Sequence, residues 1–348
     1  MAYTTIKKPS DYFNTKIYTG NSSTLSVTGV GFQPDWTWIK DRNSAGDDHA
    51  LYDAVRGTTK RIRSNQTDAE NTQSDGLTSF DSDGFTVGTN GASNGDGQPF
   101  VAWNWLGANG TASNTDGDIT STVSANTTSG FSIVSFTGTG ATATVGHGLG
   151  VKPDLIIAKN RTDAVDWYVY HSSLGATKNL RLNQTSAELT ESAPWDNTEP
   201  TTSVISVNNA NGTNGSSKNL IFYCFAEKKG FSKFSSYVGN GSTDGTFVYT
   251  GFKPAFVIMK RTDTTGNWLL FDNNRSSSGG SNLIQQYLYP NLNDAEDSDA
   301  TRGIDFLSNG FKQRNDFSAI NASGGSYIYM AFAEQPLVGT NNIPATAR

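Results

Sequence analysis

The chain has 348 residues, more than the ~250–300 that one hydrophobic core usually reaches, so we expect several domains. Only 17% of the residues are charged, 11% are aromatic, and glycine occupies 36 positions; this composition excludes a disordered chain or a coiled coil and is typical of short strands joined by turns. The net charge is −6, the basic residues are scattered, and no long apolar stretch occurs, so we expect neither nucleic-acid binding nor membrane insertion.

The first segment, residues 1–12, is predicted to be an N-terminal arm. It lacks the apolar core of a secretory signal peptide, which favours synthesis and retention in a cytosol.

Three sequence blocks then recur in the same order. Each copy contains a strand that follows a Gly-x-x-Pro turn and ends in lysine, then an Asn-x-x-x-Ala-Glu block, and finally an aromatic closing strand. The strands led by proline are residues 31–40, 150–159 and 251–260, the Ala-Glu blocks are 65–70, 183–188 and 291–296, and the closing strands are 100–105, 220–227 and 327–334. A pattern of three ordered blocks in three copies indicates a protein built from internal repeats.

The spacing of the blocks sets the domain boundaries. Residues 13–106 form repeat 1, 131–228 form repeat 2 and 229–335 form repeat 3, while 336–348 form a C-terminal tail. Residues 107–130 are rich in Thr, Ser, Asn and Gly without apolar periodicity, so they are predicted to be a linker. Only a few residues separate repeats 2 and 3, which must therefore touch.

Short apolar segments bounded by turn residues predict an all-β fold of three tandem antiparallel β-sandwich repeats, jelly-roll or lectin-like. The strand after each proline is apolar on both faces, for example Leu155 to Ala158, as expected of a central strand packed on two sides. The competing architecture is one body with pseudo-threefold symmetry, to which each copy supplies a sheet. Helix is expected only as one turn near each Ala-Glu block.

The sequence contains no recognisable catalytic or metal-binding constellation. The histidines lack ligand spacing, and Cys224 lies in an apolar strand and is predicted to be a buried thiol. Glu70, Glu188 and Glu296 recur at one repeat position, which suits a structural role repeated three times. We therefore predict no enzymatic activity, no metal and no cofactor, although a pair of carboxylates that converges only in space would escape detection.

One set of aligned polar and aromatic residues is a candidate ligand site. An aromatic face could stack on a sugar ring while a carboxylate–guanidinium pair binds its hydroxyls. The alternative is a local Asp–Arg pair that ties a loop. The residues are Tyr52, Asp53, Arg56, His171, Trp268, Asp272 and Arg275.

Several longer motifs carry a resemblance. Tyr-Thr-Gly-Asn, Gly-Phe-Gln-Pro-Asp-Trp, Asp-Ala-Val-Arg-Gly, Val-Gly-His-Gly-Leu-Gly and Phe-Val-Tyr-Thr-Gly-Phe-Lys-Pro occur along nearly the whole chain. The chain resembles a family of repeat-built structural proteins of marine tailed bacteriophages. The resemblance implies a virion protein made in the host bacterial cytoplasm, and it supplies no catalytic residues.

Two roles follow as hypotheses. The first is a tail fibre or tip component that binds a host surface glycan or receptor. The second is a decoration or connector protein of capsid or tail that binds only other virion proteins. In either role we expect contacts with other virion proteins and a homo-oligomer in the particle.

Overall fold

The computed structural model describes residues 3–276 and 282–338. In this part of the chain, β-strands dominate and helix is limited to isolated turns. The all-β fold class is confirmed.

Repeat 1 contains one four-stranded sheet in the order β1-β9-β3-β4, a three-stranded sheet β2-β8-β7 and the small pair β5-β6. A 3-10 turn, Pro9–Asp11, precedes it. Its elements are β1 (Phe13–Thr19), β2 (Leu25–Thr28), β3 (Trp36–Asp41), β4 (Ala50–Asp53), β5 (Lys60–Arg61), β6 (Asn71–Thr72), β7 (Leu77–Asp81), β8 (Gly84–Val87), α1 (Gly91–Asn94) and β9 (Pro99–Trp105).

Repeat 2 and the segment before it form an eight-stranded sheet in the order β10-β11-β12-β19-β14-β15-β16-β17, with a second sheet β13-β18. Its elements are β10 (Ala112–Asn114), β11 (Ser121–Asn126), β12 (Phe131–Thr137), β13 (Ala143–Gly146), β14 (Leu155–Asn160), β15 (Tyr168–His171), β16 (Lys178–Arg181), β17 (Leu189–Thr190), β18 (Val204–Val207), α2 (Asn211–Asn214) and β19 (Asn219–Phe225).

Repeat 3 contains the sheets β20-β29-β22-β23 and β21-β28-β27-β24 and the pair β25-β26. A 3-10 turn, Ala300–Arg302, precedes β27. Its elements are β20 (Ser232–Val238), β21 (Phe247–Tyr249), β22 (Phe252–Arg261), β23 (Trp268–Asp272), β24 (Leu283–Ile284), β25 (Gln286–Tyr287), β26 (Asp297–Ser298), β27 (Ile304–Leu307), β28 (Gly310–Gln313), α3 (Ser318–Asn321) and β29 (Ser326–Pro336).

The main sheets of the three repeats share one strand order. The closing strand always lies between the first strand and the strand led by proline, as β1-β9-β3-β4, β12-β19-β14-β15 and β20-β29-β22-β23. All pairs in these sheets are antiparallel. The sequence repeats therefore correspond to structural repeats.

Each main sheet is buried on both faces, because it belongs to two cores. In β14, Ile156 packs in a core private to repeat 2, whereas Leu155 and Ile157 face a core shared by all three repeats. The same alternation gives repeats 1 and 3 private cores of their own. The structure thus combines a private core in each repeat, as in a sandwich, with the common core of a pseudo-threefold body.

The ends of the three closing strands meet in the shared core. The ring centroids of Trp105, Phe225 and Phe332 lie 5.9–6.4 Å apart in all three pairings. Because these residues occupy equivalent repeat positions, the rings mark the pseudo-threefold axis. No repeat can be separated from the others without exposing these rings.

Two features differ from the sequence-based expectations. The predicted linker, residues 107–130, contains β10 and β11, which extend the main sheet of repeat 2. The α-helical turns α1, α2 and α3 lie before the closing strands and not at the Ala-Glu blocks, although the 3-10 turn Ala300–Arg302 follows the third block. At the blocks the chain pairs with a neighbouring repeat instead, since the N–H of Glu70 donates to the carbonyl of Arg161.

The terminal segments are partly described. In the N-terminal arm, Ile6 is buried in the shared core and the Tyr3 hydroxyl donates to the carbonyl of Gly251 over 2.6 Å. The arm is therefore packed against repeat 3. Of the predicted tail, residues 339–348 lie outside the described residues.

Candidate functional site

The candidate ligand residues lie where the fourth strand of each main sheet ends. Register places Asp53 opposite Trp36, His171 opposite Leu155, and Asp272 opposite Phe256. Because the facing residues belong to the shared core, all three polar side chains point into junctions between repeats. They are at most 1% exposed.

In the junction between repeats 1 and 2, Asp53 is surrounded by donors. Its carboxylate accepts hydrogen bonds from the N–H and Nε of Arg56 at 2.8 and 2.5 Å, and from the hydroxyl of Tyr223 at 2.6 Å. Tyr223 belongs to the closing strand of repeat 2. The Asp–Arg pair therefore ties a local loop and also anchors the neighbouring repeat.

The junction between repeats 3 and 1 repeats this arrangement. Asp272 accepts from Nε of Arg275 at 2.5 Å and from Nε1 of Trp103 at 2.9 Å. Trp103 occupies the closing-strand position of repeat 1 that Tyr223 occupies in repeat 2. Two different donors thus fulfil one role at equivalent positions.

The junction between repeats 2 and 3 has no Asp–Arg pair at the equivalent site, although the ammonium group of Lys260 lies 3.3 Å from the carbonyl of Thr185 across this junction. His171 replaces the aspartate, and Met330 replaces the donor on the closing strand. Nδ1 of His171 accepts from the N–H of Ser173, so Nε2 carries the proton and faces the carbonyl of Tyr329 at 3.3 Å. Burial lowers the pKa of His171 to about 4. An apolar cavity lined partly by His171, Trp268 and Met330 lies here.

The recurrent glutamates form a cyclic set of contacts around the body. The backbone N–H groups of Glu70, Glu188 and Glu296 donate to the carbonyls of Arg161, Thr262 and Arg42, each in a different repeat. The carboxylate of Glu70 also accepts from Nε and Nη2 of Arg161 at 2.9 and 3.0 Å. These hydrogen bonds join neighbouring repeats, which is a structural role of the kind that the recurrence of the three glutamates predicts.

Two of these three glutamates complete buried charge networks. Glu296 accepts from two nitrogens of Arg42 and from Nη1 of Arg275 at 2.8 Å. Among the described residues, the ion-pair partner of Glu188 is Lys178 of its own repeat, at 2.9 Å, because Thr262 stands where the other junctions have arginine. The carboxylate–guanidinium contacts between repeats are therefore concentrated at the two junctions of repeat 1.

The electrostatics of these networks keep the buried guanidinium groups charged. Burial opposes the charge on Arg56, but the carboxylates of Asp53 and Glu70 outweigh burial and raise its pKa. Burial likewise opposes the charge on Glu70, while hydrogen bonds from Arg161 and Arg56 lower its pKa overall. Such pairing is what permits ionised groups inside a protein.

The aromatic members of the predicted site are also inside the body. Tyr52 is 0% and Trp268 4% exposed. Nε1 of Trp268 donates to the carbonyl of Arg181 over 2.9 Å. None of the seven predicted residues offers a face to a sugar, so the expected exposed ligand surface is corrected: Tyr52 packs in the private core of repeat 1, and the other six side chains lie at the junctions between repeats.

The sequence analysis did not identify the interface partners Tyr223, Arg42 and Arg161. Alignment of the repeats was the available signal for the two arginines, because each lies two residues after the lysine of the strand led by proline, where repeat 3 has Thr262. It could not reveal which repeat receives each contact.

Other potential sites are limited in the described residues. No group of three or more His, Cys, Asp or Glu side chains among residues 3–276 and 282–338 is arranged to hold a metal ion. Cys224 is buried, and burial raises the pKa of its thiol. In the same part of the chain, no helix has the length and apolar character to cross a membrane.

Comparison with known proteins identifies one family. The family model described as a domain of unknown function, DUF7483, matches residues 8–336. Searches of the curated proteins and of the solved structures gave no match. The match spans all three repeats and the predicted linker between the first two.

Proposed function

The chain belongs to the DUF7483 family, whose function is unknown, and we propose that it is a non-enzymatic structural protein of a bacteriophage virion. In this proposal it forms part of a tail fibre or tail tip and binds the host surface. The resemblance of the long motifs to a family of structural proteins of marine tailed bacteriophages motivates the assignment to a virion.

One observation carries the proposal best: the recurrent charged residues are used to join the repeats into one body. Asp53, Arg56 and Glu70 are paired with one another or with a neighbouring repeat. A protein whose recurrent charged side chains hold its architecture suits a scaffold that presents surfaces to partners.

The second candidate is a decoration or connector protein that binds only other virion proteins. The burial of the predicted sugar-contact residues favours it, because the aromatic and charged groups that suggested host adhesion do not reach the surface.

Gold-labelled antibodies against the chain, applied to purified phage particles, test the virion assignment. We expect labelling at the distal tail, and we expect the isolated protein to compete with the phage for adsorption to host cells. Labelling confined to capsid or connector without competition would support the second candidate. Absence of the chain from purified particles would overturn both.

A further inference from the structure

The outer face of the second sheet in repeat 3 is unlike its counterparts. Register places Phe247, Lys312 and Asp305 in one row across β21, β28 and β27. Tyr249 lies two residues after Phe247 and therefore on the same face. Phe247 is 45% and Tyr249 52% exposed. We call these four residues the outer aromatic face.

The corresponding positions of repeats 1 and 2 carry no aromatic side chains. In repeat 1 the row that corresponds to Phe247, Lys312 and Asp305 consists of Ser26, Thr86 and Ser79, and Thr28 stands in place of Tyr249. In repeat 2 the first strand carries Thr144 and Gly146. The three repeats have similar residues at the buried positions of their sheets. The exposed rings of Phe247 and Tyr249, in contrast, occur in repeat 3 and have no aromatic counterpart in repeats 1 and 2.

The charges on this side of the sheet are balanced. Lys312 forms an ion pair with Asp244, and Nε of Arg314 lies 3.4 Å from Oδ2 of Asp305. A face with two aromatic rings and neutralised charges has no electrostatic preference for a polyanion or a polycation. It does offer ammonium and guanidinium donors and carboxylate acceptors that could be shared with hydroxyl groups.

The backbone of Val248 and the ring of Phe247 both lie close to Gly310. Gly310 lies opposite Tyr249, and a side-chain carbon at Gly310 would approach the Phe247 ring to 3.2 Å. The Phe247 ring therefore extends over a residue without a side chain. The hydroxyl of Tyr249 lies beside that of Tyr3 in the N-terminal arm, while the exposed parts of the Phe247 and Tyr249 side chains face solvent, where a ligand can reach them.

We propose that the outer aromatic face binds an uncharged saccharide chain. The apolar face of a sugar ring packs on Phe247 and a second ring packs on Tyr249, while hydroxyl groups bond to Lys312 and Asp305. The proposal rests on the proposed host-binding function and names its ligand class. A protein strand would bind differently, by pairing its backbone with the edge of β21. In repeat 2, Ile119 pairs in this way, in parallel, with Val145 of the corresponding strand.

The test uses the full chain and an immobilised array of uncharged bacterial oligosaccharides. The variant is Phe247→Ser with Tyr249→Thr, which installs the residues that repeat 1 carries at these positions, so the fold has a precedent for them. The matched control is Ile17→Ser, which removes a 44% exposed apolar side chain from β1 where repeats 2 and 3 carry serine.

We expect the wild type and the control to bind the same oligosaccharides, and the double variant to lose affinity by at least about tenfold, with unchanged melting temperature. Equal binding by the double variant would overturn the proposal. Failure of the wild type to bind any sugar, while it still competes with phage on host cells through a protein receptor, would overturn this inference and leave the proposed function standing. Absence of the chain from phage particles would instead remove the proposed function.

Discussion

The hydroxyl of Tyr223 donates a 2.6 Å hydrogen bond to the carboxylate of Asp53 across the junction between repeats 1 and 2. Both groups are 0% exposed, so the bond forms away from water and its loss would leave a buried charged acceptor short of a donor. One equivalent bond, from Nε1 of Trp103 to the carboxylate of Asp272, connects repeats 1 and 3. Junctions of this kind explain how repeats with private cores become one body.

Replacing both Asp272 and Arg275 by Ala tests whether this pair is structural. The double variant should melt at a clearly lower temperature, because Trp103 and Glu296 each lose a buried partner. Adhesion to host cells should persist at temperatures where the variant is folded. An unchanged melting temperature with lost adhesion would return this pair to the role of a ligand site.

The glutamates provide a comparison at one repeat position. Glu296→Gln should lower the free energy of unfolding by about 3 kcal/mol, because it breaks a network with a fully buried arginine. Glu188→Gln, the matched control, should cost less than about 1 kcal/mol, because its single ion pair is partly exposed. Urea denaturation measures both values. Equal costs would show that the carboxylate contacts with arginine do not stabilise the junctions.

The rings on the pseudo-threefold axis should make large contributions to stability. Phe225 and Phe332 are each 1% exposed, and truncation of either to Ala should cost roughly 3–5 kcal/mol. Chemical denaturation of each variant checks the value. A loss below about 1 kcal/mol would mean that the shared core can collapse around the missing ring or does not form.

The buried histidines should make the protein sensitive to acid. His49 and His171 accept an N–H at Nδ1 and face a carbonyl with Nε2, and burial lowers their pKa values from 6.5 to about 3 and about 4. The unfolded chain therefore binds protons first, and stability should fall as the pH decreases from 6.5 towards 4.

Urea midpoints at pH 7, 6 and 5 measure this dependence. The variant His171→Gln should show a shallower slope than the wild type, since one of the groups that titrate only in the unfolded chain is gone. An identical slope would assign the acid sensitivity to other groups.

The sequence was sufficient to predict the β class, the three repeats and the burial of the central strands on both faces, because these depend on local patterns. It was not sufficient to place Asp53 or Asp272. A buried Asp–Arg pair and an exposed sugar-binding pair use the same residues at the same spacing, and only the packing of another repeat distinguishes them. Residues 107–130 were misjudged for a similar reason, since β11 forms by pairing with β12 rather than from its own apolar pattern.

Scanning calorimetry of the full chain tests most directly whether the three repeats form one body. The shared core, the three rings on the pseudo-threefold axis and the contacts of the recurrent glutamates between repeats predict a single unfolding transition. The calorimetric and van't Hoff enthalpies should then be equal. Glu296→Gln should shift that transition as a whole. Two or more separate transitions, with one repeat melting while the others remain folded, would contradict the account.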